Sequence, residues 1–182
     1  MRLFIAGVSC VGKSAIGHKL ADLLGYCFFD LDDEIESFFS MPIESLQAKH
    51  LTMNSYRQEA SKALVSILNK EESKNSVIAL PPSGLMSYYW RTIKKAEGIT
   101  VVLNDLAQNI LNRITFYDKN SILIQKRLST ADKAYYLKQI KKNITYFKQS
   151  YKRADISVDI ANLDITESAQ KVKIAVEQFD QS

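Results

Sequence analysis

The chain has 182 residues, of which 46% are hydrophobic and 24% charged, and its formal net charge is +4. That is the composition of an ordinary soluble globular protein, long enough to bury a core as one domain, expected to be a monomer. Two cysteines, Cys10 and Cys27, exclude a disulfide framework, and an apolar run of a few residues before Gly7 excludes a signal peptide or membrane span there, so the cytoplasm is expected.

Residues 2–7 read as a buried strand that runs into Gly7-Val8-Ser9-Cys10-Val11-Gly12-Lys13-Ser14, followed by Ala15. This is G-x-x-x-x-G-K-[ST] between an apolar strand and an amphipathic helix, the pattern of a phosphate-binding loop. Glycines at both ends let the backbone curl until successive N–H groups point inward at phosphate oxygens. Lys13 is expected on the β- and γ-phosphates, and the Ser14 hydroxyl on Mg²⁺, with the helix dipole aimed at the same anion. The expected ligand is a nucleoside triphosphate, ATP with Mg²⁺. Cys10 in this loop reads as a small residue, or as a thiol whose thiolate Lys13 would favour.

The helix over 12–24 places Ile16, Leu20, Leu23 and Leu24 on one face and stops at Gly25. Tyr26-Cys27-Phe28-Phe29 is a second short strand, ending in Asp30-Leu31-Asp32-Asp33-Glu34 at the start of a helix that ends near Ser40. Asp30 and Asp32 can cap that helix. They can equally hold Mg²⁺ and take the proton of an attacking hydroxyl, and the two roles are compatible. Pro42 opens a short helix, and a longer one spans about 54–71. On the latter, Arg57 is either a surface residue or a fork for a carboxylate or phosphate, since Glu59 at i+2 faces away from it.

Residues 77–80 form a third strand, broken at once by Pro81-Pro82-Ser83-Gly84. A helix to about Lys95 carries Tyr88, Tyr89 and Trp90, which read as core residues or as lining for an acceptor pocket. Strand 99–103 and a helix from Asp105 to about Phe116 follow. Residues 117–130 are polar. A helix over about 131–150, a strand over 155–159 and a helix over 166–179 end the chain. Strands alternating with helices imply a parallel sheet covered on both faces, with ligands at the carboxyl ends of its strands. The late lysines read mainly as a solvated helix face, and no aromatic-basic pattern points to nucleic acid.

Gly7-x-x-x-x-Gly12-Lys13-Ser14-x-x-Gly17-x-x-Leu20-Ala21-x-x-Leu24-Gly25, followed by Phe29-Asp30-Leu31-Asp32-x-x-Ile35-Glu36, closely resembles the shikimate kinases. Weaker similarity covers nearly the whole chain: Tyr56-Arg57 matches the family's Phe-Arg, and residues 154–159 its final strand. The resemblance implies a three-layer α/β/α P-loop kinase fold over 1–182, with a five-stranded parallel sheet. A helical lid at about 117–130 and an acceptor-binding helical region at about 31–62 are implied with it. It implies ATP-dependent phosphorylation of shikimate, with Lys13 and Ser14 on phosphate and Mg²⁺ and Asp30 supporting the metal. Asp32 would be the base on the acceptor hydroxyl, Arg57 would grip the carboxylate, and Arg113 would lie against adenine.

Three segments differ from the family pattern. Where the family has Gly-Gly-Gly on the acceptor floor, this chain has Pro81-Pro82-Ser83, and prolines have no N–H to donate. The lid's Arg-Pro is replaced by Asp118-Lys119-Asn120-Ser121, leaving Lys119, Lys126 or Arg127 as substitutes. The second carboxylate-binding arginine has Lys142, Lys148 and Arg153 as competing counterparts. A kinase of the same fold for a sugar acid or nucleoside is the alternative reading, and a nucleotide-binding relative without turnover is another.

Overall fold

The computed structural model describes residues 1–181. Strand β1 (Arg2–Ala6) alternates its side chains between the two faces of a sheet, Leu3 and Ile5 on one and Phe4 and Ala6 on the other. Around it lie β2 (Cys27–Asp30), β3 (Ser76–Ala79) and β4 (Ile99–Asn104). Two short strands follow, β5 (Phe116–Tyr117) and β6 (Leu123–Ile124), then β7 (Ile156–Asp159). The main sheet is five-stranded and parallel, in the order β2-β3-β1-β4-β7. The α/β architecture expected from the sequence is therefore present.

One face of the sheet is covered by α1 (Lys13–Leu24), α6 (Ala107–Asn112), α7 (Thr130–Tyr151) and α8 (Ile165–Asp180), which close over Leu3, Ile5, Val101, Leu103 and Val158. The other face, with Phe4, Ile78, Leu80 and Val102, receives α2 (Leu31–Phe39), α3 (Ile43–Ala48), α4 (Met53–Leu68) and α5 (Ser87–Ile93). Among the described residues, no helix is long and apolar enough to cross a membrane.

Strand β3 lies between β1 and β2, so Asp30 arrives at the phosphate loop from two strands away. Two details differ from the sequence-based expectation. The segment expected as a helical lid is a two-stranded antiparallel hairpin, Phe116 opposite Ile124 and Tyr117 opposite Leu123. Asp118 makes its turn, its Oδ1 accepting the N–H groups of Asn120 at 2.8 Å and Ile122 at 2.9 Å, and the branched run Ile122-Leu123-Ile124 favours a strand. Helix α4 ends at Leu68 instead of near Glu71, because Ser73 turns its hydroxyl onto the Leu68 and Lys70 carbonyls, and a 3₁₀ turn over Glu71–Lys74 follows.

Candidate active site

The loop between β1 and α1 has the backbone its sequence demands. Gly7 has φ +148°, and a Cβ there would lie 2.8 Å from Val11 Cγ1 and 3.0 Å from the Leu103 carbonyl oxygen. Gly12 has φ +110° and Cys10 φ +59°, so the chain curls through left-handed residues into a nest of N–H groups. No side chain caps the first turn of α1, which leaves its N–H groups to an anion. Val8 and Val11 are buried and anchor the loop, whereas Ser9, Ser14 and Ala15 are exposed at its mouth. Lys13 folds back over the loop, its Nζ donating to the Val8 carbonyl at 3.0 Å. Burial holds the Lys13 ammonium below the usual lysine range, while Asp32 and Asp30 pull it back up.

Asp30 carries out both of the roles open to it in the sequence. Its Oδ1 accepts the Asp32 N–H at 3.1 Å and caps α2, and its Oδ2 accepts the Ser14 hydroxyl at 2.5 Å. Among the described residues, the Asp32 carboxyl has no hydrogen-bond or ion-pair partner. Burial first, and then the Asp30 charge, push that carboxyl up to about 6, against the pull of Lys13. A carboxyl poised near neutrality beside a phosphate loop is suited to general-base work. Ser14, Asp30, Asp32, Asp33, Glu36 and Asp118 face a cleft of about 570 Å³. Among the described residues, no three His, Cys, Asp or Glu side chains form a ready-made metal cage. Ser14 and Asp30 fit Mg²⁺, which keeps several waters and leans on phosphate oxygens.

On the other side of the loop, Arg113 pairs with Asp105, and its Nε donates to the Cys10 carbonyl at 3.4 Å. The arginine is therefore tethered to the phosphate loop beside the carboxyl end of β4.

The acceptor side is built differently. Arg57, on α4, is only 9% exposed and has neither an ion pair nor a hydrogen bond among the described residues, its Nε being fully buried without a partner. Glu59 instead pairs with Lys62 at 2.6 Å. Tyr89, on α5, is 0% exposed, and its hydroxyl lacks a partner of hydrogen-bonding geometry although the Tyr56 hydroxyl faces it. Burial raises the Tyr89 pKa far above the ordinary tyrosine value, with Tyr56 and Asp32 adding to the rise and Arg57 opposing it. A buried donor left unpaired costs about 1–3 kcal/mol, and more when charged.

Pro81 is buried, with Pro82 and Ser83 partly so, and no peptide bond among the described residues is cis. The segment is tied down by its carbonyls. Pro81 O accepts the Gly84 N–H at 2.8 Å, Pro82 O the Tyr151 hydroxyl at 3.0 Å, and Leu85 O the Arg153 guanidinium at 2.8 Å. Arg153 also lies over the Trp90 ring, 5.8 Å from its centroid, and is thereby spent on packing. Of the other competing cations, Lys142 faces a shallow groove along α7, and Lys148 lines a cavity of about 530 Å³ with Val8, Asn104 and Tyr151.

In the hairpin, Lys126 lies over the rings of Phe116 and Tyr136, at 5.3 and 5.5 Å, which leaves Lys119 and Arg127 as lid cations without a partner among the described residues. The hairpin is latched to α2 by Ser121, whose hydroxyl donates to Glu36 Oε1 at 2.5 Å, while the same oxygen accepts the Ile43 N–H at 2.8 Å. Sequence reasoning missed this latch. Glu36 stood in the quoted motif, but nothing local links it to a residue 85 positions away.

The structure thus gathers Lys13, Ser14, Asp30 and Asp32 at one point, while Asp32 and Arg57 both act on the buried Tyr89. A family model described as shikimate kinase matches residues 9–177. The chain belongs to the shikimate kinase family. It is 29% identical over 118 residues to shikimate kinase 2 of Sodalis glossinidius, a match spanning 65% of each chain and so just under two thirds of that protein's length. To a shikimate kinase of Chlorobium phaeobacteroides strain BS1 it is 25% identical over 177 residues, 97% of this chain and 87% of the relative. The crystallised shikimate kinase of Acinetobacter baumannii, in complex with shikimate, superposes with a TM-score of 0.77 at 21% identity, covering 100% of this chain and 95% of that one. At that identity the superposition speaks to the fold, which is the shikimate kinase α/β P-loop fold.

Proposed function

We propose that the protein transfers the γ-phosphoryl group of ATP to the 3-hydroxyl of shikimate, giving shikimate 3-phosphate and ADP. The observation that carries this reading is the raised Asp32 carboxyl beside the phosphate loop, together with a nearly buried Arg57 that has no ion pair among the described residues. Burying an unpaired cation is expensive, so the acceptor that completes the site bears an anion, and shikimate carries both carboxylate and hydroxyls.

Lys13, released from Val8, reaches the β- and γ-phosphates. The loop N–H groups and the first turn of α1 hold the remaining phosphate oxygens. Ser14 and Asp30 are the residues that hold Mg²⁺, which when bound neutralises phosphate charge. Asp32 accepts the proton of the attacking hydroxyl as its oxygen bonds to phosphorus and the bond to ADP breaks. Arg57 fixes the carboxylate, and Arg113 flanks the adenine. The hairpin lid over 117–130 closes from α2, excluding water. All of these groups come from one chain, which supports a working monomer. Free Cys10 and Cys27 fit a reducing cytoplasm.

Gluconate-like sugar acids are the second reading, favoured by the donor-free Pro81–Pro82 floor. ADP release measured in parallel with shikimate, gluconate and nucleosides tests both. Turnover with shikimate is expected; turnover only with another acceptor replaces shikimate, and tight ATP binding without turnover on any acceptor removes the reaction.

A further inference from the structure

We propose that the cavity between the carboxyl ends of α4 and α5 is a second ligand site. It binds a small molecule whose carboxylate or phosphate group meets Arg2, Arg91 and Lys95 and whose apolar body lies along Val65 and Leu68. The cavity measures about 500 Å³, within the range of small-molecule pockets. It shares no lining residue with the cleft that holds Ser14 and Asp32. Arg2 opens β1 and the phosphate loop follows the strand's other end, so a strand length of about 16 Å separates the two sites.

The first support is charge. Every charged residue of the lining, Arg2, Arg91 and Lys95, is a cation, and none has an ion pair among the described residues. Like charges gathered around one cavity repel until an anion sits among them. The second support is Arg2 itself. One terminal nitrogen donates to the Leu68 carbonyl at 3.2 Å and to Ser73 Oγ at 3.3 Å, which answers the carboxyl end of α4. Its Nε is buried without a partner, so capping the helix uses one part of the guanidinium and leaves another donor open. Arg91 lies over the Tyr88 ring, 5.1 Å from its centroid, which holds an exposed guanidinium against the cavity wall. The third support is that wall. Val65 is 45% exposed, and Leu68 and Ala96 continue it, so a bare inorganic ion would leave apolar surface wet that an apolar body covers.

The probes are 2-naphthoate and 1-naphthyl phosphate, with 2-naphthalenemethanol as the neutral counterpart. They are titrated calorimetrically with saturating MgADP present, which keeps them off the phosphate loop. Two variants are compared with the wild type. Arg91→Met with Lys95→Met removes two exposed cations outside the catalytic machinery, and Val65→Trp fills the cavity without touching a charge. The wild type should bind at least one anion with a sub-millimolar Kd and the alcohol about ten-fold more weakly or worse, as for hydrogen bonds to a charged group. The tighter of the two anions identifies the acid group. The double variant should bind that anion about ten-fold more weakly while its affinity for the alcohol and its kcat stay unchanged, and Val65→Trp should bind neither anion. No binding of either anion at millimolar concentration overturns the inference. So does an alcohol that binds as tightly as the anions, or an anion affinity that either variant leaves at the wild-type value. None of these measurements involves the acceptor, so they decide the cavity whether or not the shikimate reading holds.

Discussion

Around the phosphate loop the polar groups are already paired: Lys13 with Val8, Ser14 with Asp30, Arg113 with Asp105 and Cys10. On the side of α4 and α5, Arg57 Nε is buried without a partner among the described residues, and the buried Tyr89 hydroxyl has the Tyr56 hydroxyl facing it. The donor half exchanges internal hydrogen bonds for phosphate oxygens when nucleotide arrives, so it is stable empty. The buried Arg57 guanidinium has no such internal bond among the described residues to exchange. Substitutions should therefore act differently on the two sides, costing turnover in the first and relieving the empty protein in the second.

The largest effect is expected at the loop. Lys13→Ala removes the charge that meets the developing negative charge on the transferred group, and kcat should fall by about two to three decades or more. Melting temperature should change little, because the group lost is a partly buried lysine held by a single carbonyl. A near-normal kcat in a rapid-quench assay would remove the loop from the mechanism.

Asp32 lies between the halves and should show both behaviours. Asp32→Asn is expected to lower kcat by roughly two to four decades, the range for loss of a general base. In the wild type, kcat/KM should climb as pH rises through about 6, and the variant should lose that limb. Stability runs the other way. The folded protein keeps the Asp32 proton up to about 6, whereas the ordinary value is 3.8, so between those values the folded state binds more protons than the unfolded chain. The contribution is fully present below 3.8 and is lost as pH rises through about 6. Asp32→Asn should thus melt higher than wild type at pH 7, and an equal or lower melting temperature would contradict the buried-carboxyl account.

Arg57→Met separates the halves most cleanly. A charge-assisted contact of about 1.5–3 kcal/mol places the rise in KM for a carboxylate acceptor at one to two decades. The ATP constants should hold, and the ligand-free melting temperature should increase as an unpaired buried charge is replaced by an apolar side chain. An unchanged acceptor KM would return Arg57 to a purely structural role.

The same contrast explains what could be read before the structure. The donor half is written in one contiguous stretch: Gly7 to Ser14 carries strand, turn and helix start together, and Asp30 and Asp32 follow at a fixed spacing. The acceptor half is drawn from α2, α4, α5 and the segment after β3. That Arg57 acts on the buried Tyr89 depends on the packing of α4 against α5, which no local pattern encodes. The hairpin was misjudged for a related reason. Polar residues 117–121 hid a two-residue strand pairing, Phe116–Tyr117 with Leu123–Ile124, that exists only once Asp118 has turned the chain. Strand order was equally opaque, since a pattern of alternating strands and helices does not say that β3 inserts between β1 and β2.

The smallest effect is expected at the latch that joins the lid to the acceptor half. The Ser121–Glu36 hydrogen bond is exposed, and such a bond contributes about 0.5–1.5 kcal/mol at most, or a few-fold in the closing equilibrium. Ser121 also has φ +61°, a left-handed conformation that an L-residue other than glycine adopts at a penalty of about 1–2 kcal/mol. Ser121→Ala loses the hydroxyl and keeps the strain, while Ser121→Gly loses the hydroxyl and relieves it. If the bond holds the lid, both variants should raise acceptor KM by a similar few-fold factor while hydrogen exchange in 117–124 quickens. If the turn conformation matters instead, the alanine variant should match wild type, and the glycine variant should match or exceed it.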